Sequence, residues 1–311
     1  MKINNPLVSV IIPNYCHAQY LDQRIQSVLN QTYQNFEVII LDDCSPDDGA
    51  SKAVIEKYRD NTHVSQIVYN EVNSGSTFKQ WQKGFKMAKG ELIWIAESDD
   101  YCELTLLEEL IKVYNSYPNI VLAYSTIVHV NEQGTYHGDY PKGPNKYLSG
   151  TDYIRKYLSV ENLMRNASSG IFRKDAALSI SNEYINYKAA GDYLFWIKIA
   201  ECGNVAVVNK RLSYFRRHEG VVTSAKEKDG TSFTELRYIQ DYLHKNGYTS
   251  WLSSFIARVH YNIIASNTSF ISKDVKNRVF RQWHFKNKMN VIERFMYGRY
   301  YEYVYNKEVL V

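Results

Sequence analysis

Along the first 130 residues, short apolar runs alternate with stretches whose apolar positions recur every three or four residues. This is the pattern of βα units around a mostly parallel sheet. Leu7 to Ile12 is a buried-strand run that Pro13 is expected to stop. Leu21, Ile25, Val28 and Leu29 then lie on one face of a helix. Phe36 to Leu41 predicts a second strand, followed by the turn-rich DDCSPDDG and a helix through Ala53 to Tyr58. A third strand is expected at Val64 to Tyr69, a helix at Phe78 to Lys89 stopped by Gly90, and a fourth strand at Leu92 to Ala96. A helix near Thr105 to Tyr114 and a strand near Val121 to Val130 continue the series.

The second half is less regular. Residues 134 to 150 are dense in Gly, Pro and Tyr and predict a loop over a site, with Tyr136, Tyr140 and Tyr147 as acceptor-facing candidates. Strands are expected at Ser169 to Phe172, Val205 to Val208 and Leu212 to Phe215, and Asp192 opens an amphipathic helix. From Ser232 onward the period is helical: Ser232 and Glu235 match a capping box, and Leu252, Phe255, Ile256, Val259 and Ile263 form one stripe. Val275, Val279 and Trp283 form another. The expected organisation is an α/β domain over 1–225 and a helical C-terminal extension over 226–311.

Composition narrows the classes. The chain has 311 residues, 45% apolar and 23% charged, which suits a globular protein with an ample core and excludes a largely disordered one. No apolar run is long enough to span a bilayer, and the N-terminal stretch shows no signal-peptide pattern, so a cytoplasmic protein is expected. Cys16, Cys44, Cys102 and Cys202 are widely separated, which argues against a zinc site or a disulfide framework. The formal charge of +4 conceals a division: from Trp251 onward there are 10 Lys and Arg against 4 Asp and Glu, so the rest of the chain is slightly acidic. Arg278, Arg281, Trp283, Phe285, Lys286, Lys288, Arg294, Phe295 and Arg299 mix basic and interfacial aromatic residues, a pattern consistent with peripheral membrane contact or a contact between two copies of the chain. No nucleic-acid motif accompanies the cluster, so nucleic acid is not an expected partner.

Ligands of open α/β sheets bind beyond the carboxyl ends of the strands. The first strand runs into Pro13-Asn14-Tyr15, the second into Asp42-Asp43 and the fourth into Asp99-Asp100. Two acidic pairs on neighbouring strand ends call for a divalent cation, and Mg2+ or Mn2+ shared between carboxylates and phosphate oxygens points to a diphosphate substrate. Neither a P-loop nor a G-x-G-x-x-G dinucleotide loop is present.

VSVIIPNY, YLDQRIQSVLNQTYQNFEVIILDDCSPD, NSGSTFKQWQKGFKMAKGELIWIAESDD and AGDYLFWIKIAECG together resemble a family 2 glycosyltransferase of GT-A fold, over about residues 6 to 220. The resemblance implies an inverting enzyme that uses a nucleotide diphosphate sugar, commonly a UDP-sugar, with Mn2+ or Mg2+. It places Pro13 and Tyr15 in the nucleoside pocket, Asp43 at the uracil N3–H with Asp42 beside it, Asp99 toward the ribose and Asp100 on the metal. Lys83 would lie near the diphosphate, and Asp192 would be the general base, with Gly191 where many relatives have Glu. Arg216-Arg217-His218 resembles the late element that closes over the diphosphate, with Arg217 on the nucleotide and His218 at the metal. Family members often have Asp where this chain has Glu97.

Each residue also has an ordinary structural explanation. Asp42 and Asp43 suit a turn cap, Asp99-Asp100 the acidic start of the next helix, and Asp192 a helix cap; Lys83 and His218 suit a solvated surface. The order of the motifs favours transfer of a sugar to a glycan or lipid-linked acceptor in surface polysaccharide synthesis. The competing readings are a catalytically silent nucleotide-sugar module that recruits partners through its extension, and metal-dependent nucleotidyl transfer.

Overall fold

The computed structural model describes residues 5–134, 144–217, 222–286 and 290–306. The first half follows the predicted alternation: β1 (Val8–Asn14), α1 (Ala18–Leu29), β2 (Phe36–Asp42), α2 (Ala50–Glu56), β3 (Val64–Tyr69), α3 (Thr77–Met87) and β4 (Leu92–Ile95). Then come β5 (Tyr101–Cys102), α4 (Leu106–Ser116), β6 (Ile120–Val130), β7 (Lys146–Ser149), α5 (Gly150–Tyr153), β8 (Gly170–Arg173), α6 (Lys174–Ser179), α7 (Gly191–Glu201) and β9 (Asn204–Arg216). The remainder is helical: α8 (Val222–Lys228), α9 (Thr231–Lys245), α10 (Trp251–Asn267), α11 (Lys273–Trp283) and α12 (Val291–Asn306).

The strands form one mixed sheet in the order β3-β2-β1-β4-β8-β6-β9-β5, with β7 also on β9. β1 is parallel to β2 and β4, β2 to β3, and β6 to β9, whereas β8 runs antiparallel between β4 and β6. The carboxyl ends of β1, β2, β4, β6 and β9 therefore share one edge with the start of β8. Every residue of β1, β2 and β4 is buried because helices cover both sheet faces, which is why these strands read as unbroken apolar runs. Val8, Val10 and Ile12 pack toward α1 and α4, while Ile11 faces Phe78, Trp81 and Phe85 of α3.

Several sequence expectations change. Pro13 does not end β1: it pairs with Leu41, and it is tolerated because β1 stops pairing with β4 at Ile11, where a missing N–H costs no ladder bond. The two strands expected after residue 204 are one strand, β9, with Asn209 and Lys210 bulged out between the partners of Ser125 and Thr126. Tyr147 is not a loop residue over the site: it lies on β7, stacks on Tyr117 and donates to the Pro118 carbonyl, beside the amino-terminal half of β9 and so away from the carboxyl-end edge. Tyr136 and Tyr140 fall outside the described residues.

The extension has a core of its own, with Phe233, Ile256, Ala257, Tyr261, Ala265, Val279 and Trp283 around Val160. Yet Ile239 and Leu243 of α9 join the cluster that contains α7, so no clean break between cores falls near residue 225. Trp283, expected at a surface, is 1% exposed and its indole N–H donates to the Phe233 carbonyl at 2.8 Å, with Phe285 stacked on it. Phe295 does stay exposed, beside Val291 and Ile292. Among the described residues no helix is long and apolar enough to cross a membrane.

Candidate functional site

Asp42 and Asp43, adjacent in sequence, have different occupations. Asp42 accepts from the Ser45 N–H through one oxygen and from Asn14 Nδ2 and Ser45 Oγ through the other, at 2.7–3.0 Å. It ties the end of β1 to the turn after β2, the turn-cap role. Asp43 is 4% exposed; Oδ1 accepts from Asn70 Nδ2, Gln80 Nε2 and the Ser74 N–H, and Oδ2 from Ser74 Oγ. Oδ2 is the Asp43 oxygen with spare acceptor capacity, the kind of group that receives an imide N–H. Cys16 and Cys44, in the turns after β1 and β2, both adopt left-handed backbone (φ 58° and 60°), an uncommon conformation for a residue with a Cβ. Tyr15 beside them is 45% exposed and offers a ring face. Lys83 donates to Asn70 Oδ1, and Asn70 donates to Asp43, which puts this lysine on the Asp43 side of the site.

At the end of β4 the expected roles shift. Asp100 is 1% exposed and accepts from Asn166 Nδ2 and Ser168 Oγ on one oxygen and from the Arg216 N–H on the other, with the buried Arg24 guanidinium 3.8 Å away. Burial and the Asp99 charge push its carboxyl above the ordinary range, opposed by Arg24. This carboxylate is a pin joining α1, β4, β8 and β9, and it does not present open oxygens to an ion as the metal role assigned to it requires. The half-buried carboxyls of this turn are Glu97 and Asp99. Burial, then the neighbouring Asp99, push Glu97 up to about 8, although Trp81 Nε1 donates to it at 2.8 Å. Two crowded carboxyls of this kind suit a divalent cation that draws its other ligands from a diphosphate; no group of three or more His, Cys, Asp and Glu suited to a metal occurs among the described residues.

Asp192 stands in the first turn of α7. Desolvation pushes its carboxyl up to about 6 against the opposing hydrogen bonds of nearby N–H groups and Asn162, whose Nδ2 donates at 2.9 Å. The Asn162 Oδ1 is buried without a hydrogen-bond partner among the described residues. Gly191 explains itself here: a Cβ would lie 2.5 Å from the Phe78 ring and 2.6 Å from the Tyr184 carbonyl, so the backbone ahead of Asp192 admits no side chain. A carboxylate near pKa 6 is mostly ionised at neutral pH and a stronger base than an ordinary one.

On the far side, Arg216 is buried between the Tyr20 and Tyr101 rings and donates to the Asp99, Asn131 and Glu132 carbonyls and to Gln23, which makes it a structural clamp. Arg217 follows, exposed and lying over Phe215. Burial, then Arg217 and Arg165, push His129 at the end of β6 down to about 4, so it is neutral at physiological pH. His218 lies outside the described residues. Arg24, Asn166 and Ser168, and the role of Arg216 as their fellow partner of Asp100, are not legible in the sequence because all four lie 66 to 116 residues from Asp100. Arg24 left one legible trace, a charged residue beside the apolar stripe of α1.

This edge, with acidic turns after β2 and β4 and a carboxylate at the head of α7, defines a GT-A glycosyltransferase architecture. The same fold is found in S. aureus TarS 1-349 in complex with UDP-GlcNAc (TM-score 0.59, 20% identity, 97% of this chain and 76% of that one) and in its complex with UDP (TM-score 0.56, 18% identity, 96% and 93%). The chain belongs to glycosyl transferase family 2, whose family model matches residues 9–178. It is 27% identical over 290 residues to the uncharacterized glycosyltransferase MJ1057 of Methanocaldococcus jannaschii, covering 89% of this chain and 96% of that one. It is 28% identical over 171 residues to glycosyltransferase GlyG of Streptococcus pneumoniae (55% and 53%). With poly(ribitol-phosphate) beta-N-acetylglucosaminyltransferase TarS of Staphylococcus aureus it shares 27% identity over 234 residues (73% and 39%). The chain thus spans about half or less of the latter two.

Proposed function

We propose that this glycosyltransferase transfers a sugar from a UDP-sugar, with inversion, to a hydroxyl of a surface glycan or polyol-phosphate chain. The observation that carries the reading is Asp192, a partly desolvated carboxylate at the head of α7 on the edge that also holds Asp43 and Glu97-Ser98-Asp99. UDP as the nucleotide is supported by Asp43 Oδ2, which carries a single hydrogen bond and can accept a second, and by the UDP and UDP-GlcNAc complexes of the structural neighbour. A poly(ribitol-phosphate) relative supports a polyol-phosphate acceptor.

In this mechanism Tyr15 and Asp43 hold the base, and Asp192 takes the proton of the acceptor hydroxyl as it attacks the anomeric carbon. The hydroxyl becomes acidic only as the new bond forms, so a base near pKa 6 suffices. Arg217, exposed just past β9, would supply cationic charge that favours the departing diphosphate. Asp99 with Glu97 would hold Mn2+ or Mg2+, which when bound supplies charge neutralisation at the leaving diphosphate.

The test is a screen of UDP-N-acetylglucosamine, other UDP-sugars and dTDP-glucose for slow hydrolysis with Mn2+, run beside Asp192→Asn. We expect UDP release from a UDP-sugar, acceptor transfer reduced about 10²–10⁴-fold in Asp192→Asn, and UDP affinity within about twofold of wild type, since no nucleotide-side residue is altered. Full transfer by Asp192→Asn would remove the base assignment. UDP binding with no turnover of any donor would favour the silent module.

A further inference from the structure

Glu235 sits on α9 in the helical extension, where the sequence pattern makes it the partner of Ser232 in a capping box. It does something else. α9 is preceded by Gly230 with no side-chain cap, and the Glu235 carboxylate, 8% exposed, leaves its own helix to face residues 188–190. Oε1 accepts from the Lys188 N–H at 2.6 Å, and Oε2 accepts from the Ala189 and Ala190 N–H groups, each at 2.9 Å. These three amides immediately precede α7, whose N-cap Ala190 has no side chain able to cap. A carboxylate off the start of a helix also suits the helix dipole.

We infer that Glu235 is a positioning residue for Asp192, holding from the extension the backbone that sets where the base stands; the inference rests on the reading of Asp192 as base. The geometry leaves that backbone little freedom. From one side Phe78 of α3 and the Tyr184 carbonyl close on Gly191. From the other, Glu235 fixes the three preceding amides, and it cannot swing away because Phe233, Ile239 and Leu243 of the same helix are buried at 0–1% exposure. Asp192 is two residues beyond the last amide held. A carboxylate suits this cradle because both its oxygens accept; an amide at the same place would direct an NH2 toward N–H donors. The extension thereby contributes to the reaction without touching substrate.

The experiment compares wild type, Glu235→Gln, Glu235→Asp and Asp192→Asn, using the UDP-sugar hydrolysed fastest in the donor screen and UDP itself as binding probe. Misplacing a base by a fraction of an ångström should lower kcat about 10–100-fold. We expect that loss in Glu235→Gln with donor KM and UDP affinity within about twofold of wild type, and faster hydrogen exchange at the amides of 188–190. Glu235→Asp keeps the charge but is one methylene shorter, so its kcat should fall between the two, and it serves as the variant of record if Glu235→Gln does not fold. Unchanged kcat in a folded variant, or kcat and UDP affinity falling in parallel with melting temperature, would overturn the inference. Full turnover in Asp192→Asn removes the base reading and with it this role. Loss of turnover in Asp192→Asn alongside wild-type kcat in the folded Glu235 variants overturns the positioning alone.

Discussion

The proposed nucleotide side of the site and the proposed base side are built differently. Asp43 is held by Asn70, Ser74 and Gln80, and Asp42 by Asn14 and Ser45, all within the first three βα units. Asp192 depends on Asn162, which follows β7, and on backbone that Glu235 holds from beyond β9. The first half is nearly self-contained, so its motifs are compact in sequence. The second is assembled from distant segments. Asp100 bridges the two, since its partners Arg24, Asn166, Ser168 and Arg216 come from both.

That bridge is where the comparison breaks most visibly. Asp100→Ala strands the Arg24 guanidinium, itself 0% exposed, and should cost about 3–5 kcal/mol of stability, the magnitude for breaking a buried ion pair. Thermal or denaturant unfolding measures it. Normal stability with lost metal affinity would instead restore Asp100 to the metal. Asp43→Asn comes next. Losing a hydrogen bond to a charged acceptor is worth about 1.5–3 kcal/mol, so UDP should bind roughly 10- to 150-fold more weakly by titration calorimetry. The smallest effect is in pH. Asp192 must be ionised to act, and its carboxyl is raised to about 6, so kcat should fall as pH drops through about 6 and level off above. The linkage has the opposite sense for stability: a carboxyl raised in the folded state makes folding less favourable as pH rises through that range. Asp192→Asn should therefore lose this contribution and unfold no earlier than wild type at pH 7.5. An acid limb near pH 4 would mean that Asp192 is solvated and that the two sides do not differ in this respect.

Much of the nucleotide side was legible in the chain. Strand ends followed by Asp pairs, turn residues and helical stripes are local patterns, and β2, α1, β3 and α7 fall close to where those patterns put them. The roles inside each pair were not legible. Asp42 and Asp43, or Asp99 and Asp100, are equivalent as text; successive residues leaving a strand face different surroundings, so Asp42 is tied to Asn14 and Ser45 while Asp43 is tied to Asn70, Ser74 and Gln80, and Asp100 is buried while Asp99 stays half-buried. Glu235 is the clearest case: its i, i+3 spacing from Ser232 signals a helix cap, but Gly230 provides the start of α9 and leaves the carboxylate to reach another segment.

By itself, the sequence determined the order of the βα units, the burial of the strands on both faces and the positions where acidic chemistry could collect, because these follow from hydrophobic periodicity and turn propensity over short spans. Only the tertiary structure decided which carboxylates are consumed internally, that Pro13 stays within its strand, and that a carboxylate from the extension binds the three amides ahead of α7. Those outcomes depend on which donors arrive from tens of residues away, and hydrogen-bond saturation and desolvation are properties of that assembled neighbourhood.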